Sequence, residues 1–111
     1  MNIKCADFAP EWLVETIAKA ELVGEGAHCQ VLASPVDGRV VKLSRAKADL
    51  TAHEALAKTS RHFPATFRRC DSALFGEEGV LHALELEKVV LAPEMPLQGL
   101  ADFLYRHKEF R

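Results

Sequence analysis

The segment LVGEGAHCQVLASPVDGRVVKLS, residues 22–44, predicts three short β-strands joined by two tight turns. The first turn is built on Gly24 and Gly26, and glycine tolerates the backbone angles that tight turns require. The second turn, residues 34–38, combines a proline, which fixes φ, with an Asp-Gly pair that tolerates positive φ. Val40 and Val41 follow this turn, and β-branched residues favour strands. The segment therefore predicts an antiparallel meander.

The residues that follow the meander predict a helix and then a hairpin. Residues 46–60 are rich in Ala, Leu, Lys and Glu, which favour helices, and Pro64 comes soon after them. Residues 66–75 and 80–90 predict two more strands, connected by a turn at residues 76–79. The sequence therefore predicts a sheet of five antiparallel strands with one helix packed on it.

An amphipathic segment at each end of the chain predicts a further helix. Residues 8–20 have an apolar stripe, and Asp7 is the expected N-cap. Residues 96–108 carry a second stripe at helical spacing, formed by Leu97, Leu100, Ala101, Leu104 and Tyr105. We therefore predict an α+β fold with its helices on one side of the sheet, as a single domain over residues 1–111 with its core at residues 21–91.

The composition argues against several classes of protein. A net charge of −2 disfavours nonspecific nucleic-acid binding, which needs a dense positive field. The sequence has no apolar run long enough to span a membrane and no secretory signal at its start, so we expect a cytoplasmic protein without a membrane partner. Three cysteines without a CxxC pair and five scattered histidines predict neither disulfides nor a metal site.

Several residues of the chain resemble the N-terminal lobe of protein kinases. Gly24 and Gly26 resemble the glycine-rich loop that covers nucleotide phosphates, and Lys42 resembles the lysine of the third kinase strand. Glu54, on the predicted helix, resembles the glutamate that pairs with that lysine. The resemblance covers about residues 21–105. Within the kinases, the sequence looks most similar to the divergent kinases that short-tailed bacteriophages make early in infection. It implies a nucleotide-side lobe in which Gly24, Gly26, Lys42 and Glu54 form a vestigial nucleotide site.

The sequence also departs from the kinase pattern. It contains no His-Arg-Asp loop and no Asp-Phe-Gly segment, which in kinases orient the acceptor hydroxyl and hold Mg²⁺. We therefore expect no enzymatic activity, no required cofactor and at most weak ATP binding.

A lobe without these segments is expected to act by binding a protein partner and modulating it. The function we infer from the resemblance is inhibition of a host enzyme or defence complex by a phage-encoded protein. The stripe of Leu97, Leu100, Leu104 and Tyr105 is expected either to contact that partner or to fold back over the lobe. A homodimer is a third way to cover the apolar surface that, in complete kinases, packs on the other lobe. Two alternatives stay open: the nucleotide-binding half of a split kinase, and a degenerate fragment with a scaffold role.

Overall fold

The computed structural model describes residues 3–26, 29–60 and 62–88. In this part of the chain the helices are α1 (Glu11–Lys19) and α2 (Lys47–Thr59). The strands are β1 (Lys4–Cys5), β2 (Leu22–Glu25), β3 (Cys29–Ala33), β4 (Arg39–Ser44), β5 (Thr66–Gly76) and β6 (Gly79–Glu87). The predicted helix at residues 96–108 lies outside the described residues.

All of the described strands form one antiparallel sheet, in the order β1-β5-β6-β4-β3-β2. The predicted α+β class and antiparallel sheet are confirmed, but the predicted number of strands is wrong, because the sheet has six. The additional strand is β1, whose Lys4 and Cys5 pair with Phe75 and Leu74 of β5. A strand of two residues is too short to show an alternating pattern, so nothing in the sequence distinguished it from a loop.

The two described helices pack on opposite faces of the sheet. On one face, which we call the α1 face, Leu13 of α1 packs with Val41 and Ala83. On the other, the α2 face, Leu50 of α2 packs with Val40 and Leu84. Adjacent strand residues point to opposite faces, so these contacts alternate along β4 and β6. The prediction that the helices share one side of the sheet is therefore wrong.

The start of α1 also differs from the prediction. Helix α1 begins at Glu11, with Pro10 in the N-cap position and no side-chain cap, whereas Asp7 lies in the turn before it. Proline suits this boundary because its fixed φ is compatible with the first turn and it has no N–H to satisfy. Among the described residues, neither helix has the length and apolarity to cross a lipid bilayer.

Candidate functional site

We call the β2–β3 hairpin, which carries Gly24 and Gly26, the glycine hairpin. The sheet register aligns it with Lys42. Gly24 is paired with Val31, Val31 with Lys42, Lys42 with Leu84, and Leu84 with Arg69. Residues directly opposite each other on neighbouring strands project to the same face. Lys42 and Arg69 therefore both lie on the α2 face, in the same row as Gly24.

Gly26 directly follows β2, the first strand of this hairpin. Its N–H donates a hydrogen bond to the carbonyl oxygen of Cys29, with N and O 2.9 Å apart. A Cβ atom at Gly26 would lie 3.2 Å from Cys29 Sγ. A larger residue would therefore require Cys29 to shift, which explains why glycine suits this position.

Lys42 approaches α2 through a histidine. Its Nζ lies 3.5 Å from Nδ1 of His53, a weak polar contact because it is at the upper limit of hydrogen-bond distance. Both side chains face the space between β4 and α2, and His53 is buried there. Among the described residues, Lys42 forms no ion pair with a carboxylate.

Glu54 is bound by Arg69, so the expected Lys42–Glu54 pair is wrong. Arg69 Nη1 donates a short hydrogen bond to Glu54 Oε1, and Arg69 Nε donates one to Asp71 Oδ1 at 2.8 Å. The same guanidinium donates to Thr51 Oγ1 at 3.0 Å. Hydrogen bonds to Asp71 and Glu54 raise the pKa of Arg69 above its ordinary value. Arg69 thus links α2 to β5 and binds the carboxylate of Glu54, which the sequence predicted to pair with Lys42.

The α1 face contains a buried carboxylate, Glu85, that was not among the predicted site residues. Glu85 in β6 is fully buried, and four hydrogen bonds reach its two oxygens. Arg68 donates from Nε at 2.8 Å and from Nη2 at 2.7 Å, Ser34 Oγ donates at 2.5 Å, and Arg39 Nη1 donates at 3.2 Å. Arg68 and Arg69, which are adjacent in the sequence, therefore bind carboxylates on opposite faces of the sheet.

The environment of Glu85 favours its charged form. Burial by itself raises the pKa of a carboxyl group, but the hydrogen bonds from Arg68, Ser34 and Arg39 outweigh it and hold the pKa of Glu85 below its ordinary value. The hydrogen bond to Glu85 likewise raises the pKa of Arg68. The cluster is therefore ionised on both sides at neutral pH.

Each arginine of this cluster also stacks on an aromatic ring. The guanidinium carbon of Arg39 lies 3.7 Å from the centre of the Phe67 ring, and that of Arg68 lies 4.7 Å from the centre of the Trp12 ring. Both distances are in the range of cation–π contacts. The rings and Glu85 together hold both guanidinium groups in fixed orientations.

One feature of the sequence could have indicated the burial of Glu85. The sheet has helices on both faces and β6 is an inner strand, so five successive residues of β6, 82–86, are all buried. Glu85 lies between Leu84 and Leu86, which is the pattern of a strand buried on both faces with one polar exception. No local signal pointed to Arg39 or Arg68 as its partners.

Cys5, Cys29 and Cys70 are free thiols, and burial raises the pKa of Cys5 and Cys70. Within residues 3–26, 29–60 and 62–88, His, Cys, Asp and Glu side chains form no group that could hold a metal ion. The predicted partner-binding residues Leu97, Leu100, Leu104 and Tyr105 lie outside the described residues.

Comparison of the chain with family models, with curated proteins and with solved structures finds no match.

Proposed function

We propose that the chain is a noncatalytic module, similar to a kinase N-terminal lobe, that binds a protein partner and inhibits it. The observation that carries this proposal is the pairing of Glu54 with Arg69 in place of Lys42. A kinase uses the lysine–glutamate pair to aim an ammonium group at phosphate oxygens. Here the ammonium of Lys42 contacts a histidine ring, and no described carboxylate orients it.

The order of the elements supports the kinase-like part of the proposal. Strands β2, β3 and β4 precede α2, and β5 and β6 follow it. The glycine hairpin opens this series, Lys42 lies on its third strand and Glu54 on its helix. This is the order in which the resemblance places the glycine loop, the lysine and the glutamate.

The contacts of Arg69 support the absence of phosphoryl transfer. Oε1 of Glu54 accepts a hydrogen bond from Arg69, which also binds Asp71 and Thr51. Breaking the Arg69–Glu54 contact would leave the Arg69 guanidinium beside a single carboxylate, Asp71, and would remove a charge-assisted hydrogen bond. These contacts therefore support a structural role for Glu54, which holds α2 against β5, and not a catalytic pair with Lys42.

Exposed apolar side chains support a role in protein binding. Leu22 and Val23 are exposed on β2, an outer strand of the described sheet, and Phe75 and Val80 form an exposed pair across β5 and β6. Neighbouring apolar side chains on a surface are typical of sites that contact other proteins.

A second candidate function is the nucleotide-binding half of a split kinase. The observation that favours it is the row that joins Gly24 to Lys42, together with an ammonium group that no described carboxylate neutralises. A nucleotide phosphate would supply the missing negative charge.

Calorimetric titration of ATP into the full chain separates the two functions, together with assays of labelled phosphate transfer. A noncatalytic binder gives no phosphate transfer, and its ATP affinity is weaker than micromolar. Micromolar ATP affinity that disappears in Lys42→Ala, but persists in the control Lys58→Ala, would contradict our proposal and favour the split kinase. Lys58 is a suitable control because it is an exposed lysine of α2.

Affinity capture of a partner from a lysate of the host cells tests directly whether the chain binds and inhibits a protein. We expect Lys42→Ala to retain the partner that the unmodified chain captures, and the captured enzyme to lose activity when the chain is added. A partner that is retained but fully active would refute inhibition.

A further inference from the structure

The hydrogen-bonded cluster around Glu85 contains two arginines and one carboxylate. Arg39 Nη1 and Arg68 Nε both donate to the same oxygen, Glu85 Oε1, so the two guanidinium groups are adjacent. Among the described residues, Glu85 is the one carboxylate that hydrogen-bonds to either of them. Two cations therefore share one hydrogen-bonded anion.

The guanidinium groups also keep unused donors. An arginine side chain has five N–H groups, and Arg68 uses Nε and Nη2 whereas Arg39 uses Nη1. Within the described residues, Arg39 Nε, Arg39 Nη2 and Arg68 Nη1 have no acceptor. The side chains of Arg39 and Arg68 are 32% and 38% exposed, so these donors can be reached from solvent.

Apolar groups surround these donors. Phe67 is exposed beneath Arg39, and Val36 is exposed in the same turn as Arg39, whose N–H donates to the Val36 carbonyl oxygen. Arg68 lies over Trp12. Arginine and aromatic residues dominate the energetics of protein interfaces because they combine a fixed donor geometry with a large contact area. We call Trp12, Val36, Arg39, Phe67 and Arg68 the arginine–aromatic surface.

We infer that the arginine–aromatic surface binds a carboxylate side chain of a protein partner, flanked by apolar residues. This inference rests on the proposed function, because it names where the partner of that module binds. A carboxylate can accept two parallel hydrogen bonds from a guanidinium, which matches the unused donors of Arg39. The apolar residues beside that carboxylate contact Phe67 and Val36.

The carboxylates near the surface disfavour a partner with several acidic side chains in a row. Glu87 lies opposite Arg39 in the register of β4 and β6. The hydrogen bond to Glu85 and, as a smaller cause, the charge of Glu15 raise the pKa of Arg68, so Glu15 also lies near this surface. These acids at the margin repel a long acidic run. They also oppose a nucleic acid, which needs many cations to release its counterions.

The test uses the full chain labelled with ¹⁵N and a peptide probe, acetyl-Phe-Leu-Glu-Phe-Leu-amide. We expect the Nε–H signals of Arg39 and Arg68 to shift on titration and that of Arg69 to stay, because Arg69 lies on the opposite face with its own carboxylates. The same peptide with Gln in place of Glu should bind about tenfold more weakly, the usual effect of losing a charge-assisted hydrogen bond.

Variants of the chain make the test specific. Arg39→Gln should weaken binding of the glutamate peptide about tenfold as well. Arg45→Gln is the matched control, since Arg45 is an exposed arginine paired with Glu78 at the other end of β4, and it should leave the affinity unchanged. Urea unfolding of both variants shows whether each is folded during the titration.

Three results would overturn the inference: no shift at Arg39 and Arg68, equal affinity for the glutamine peptide, or an equal loss of affinity in Arg45→Gln. Each of them leaves the proposed function standing. That function is tested by ATP titration and by partner capture with Lys42→Ala, and Lys42 lies on the other face of the sheet.

Discussion

Replacing Glu85 with glutamine removes a buried charge while keeping the size of the side chain. In the native chain the carboxylate accepts hydrogen bonds from Ser34, Arg39 and Arg68, and the side chain is fully buried. The amide of glutamine keeps one acceptor oxygen, but its NH₂ group would face N–H donors of the arginines. Two guanidinium groups would then remain together without a negative charge between them.

The contacts of Glu85 determine how much stability the substitution removes. Deleting one member of a buried ion pair costs about 3–5 kcal/mol when the other charge stays buried. Arg39 and Arg68 are 32% and 38% exposed, so water can solvate part of their charge after the substitution. Glutamine also keeps one accepted hydrogen bond. We therefore expect Glu85→Gln to lower the free energy of unfolding by about 2–3 kcal/mol.

Urea unfolding followed by circular dichroism measures this loss. With a slope of about 1–1.5 kcal/mol per M for a domain of this size, the midpoint should fall by about 2 M. Glu87→Gln is the control, because it makes the same chemical change at an exposed residue of the same strand and should shift stability by less than about 0.5 kcal/mol. Equal midpoints for the two variants would refute the reasoning that Glu85 holds this part of the sheet together.

Three further predictions use the same unfolding measurements or hydrogen exchange. Since the folded-state pKa of Glu85 is lowered, its contribution to stability is complete above pH 4.5 and is lost as the pH falls below that value towards the folded-state pKa. Glu85→Gln should therefore lose less stability than the native chain between pH 7 and pH 3.5. Parallel losses of stability in the two proteins would contradict this. Leu50→Ala should cost about 2–4 kcal/mol because Leu50 is fully buried against the α2 face, whereas Leu22→Ala, at a side chain 48% exposed, should cost less than about 1 kcal/mol. Arg69→Gln should speed amide exchange in α2 more than in α1, at a cost of about 1 kcal/mol after solvent screening; unchanged exchange in α2 would show that apolar packing alone holds this helix.

The elements with strong local signals were predicted well. The meander of β2, β3 and β4 follows from its glycine and Asp-Gly turns, and α2 and the β5–β6 hairpin lie within a few residues of their predicted bounds. Gly38, with φ of +80°, occupies the backbone conformation that the Asp-Gly pair indicated. These signals act between residues that are close in sequence, so they can be read from the chain alone.

The pairing of charged side chains could not be predicted in this way. Glu54 lies on a helix predicted correctly, yet its partner is Arg69, because the antiparallel pairing of β5 with β6 places Arg69 under α2. Glu85 is 51 positions from Ser34 and 46 from Arg39, and their contacts exist only because β4 pairs with β6.

The amino-acid sequence by itself determined the α+β class, the order of most elements and the glycine hairpin, since turn residues and side-chain shape bias the backbone locally. Only the tertiary structure decided the helix positions on opposite faces, the short strand β1, and the partners of Glu54 and Glu85. The physical reason is that strand register and helix docking minimise the free energy of the whole domain, and a shift of one residue in register would move every side chain of a strand to the other face.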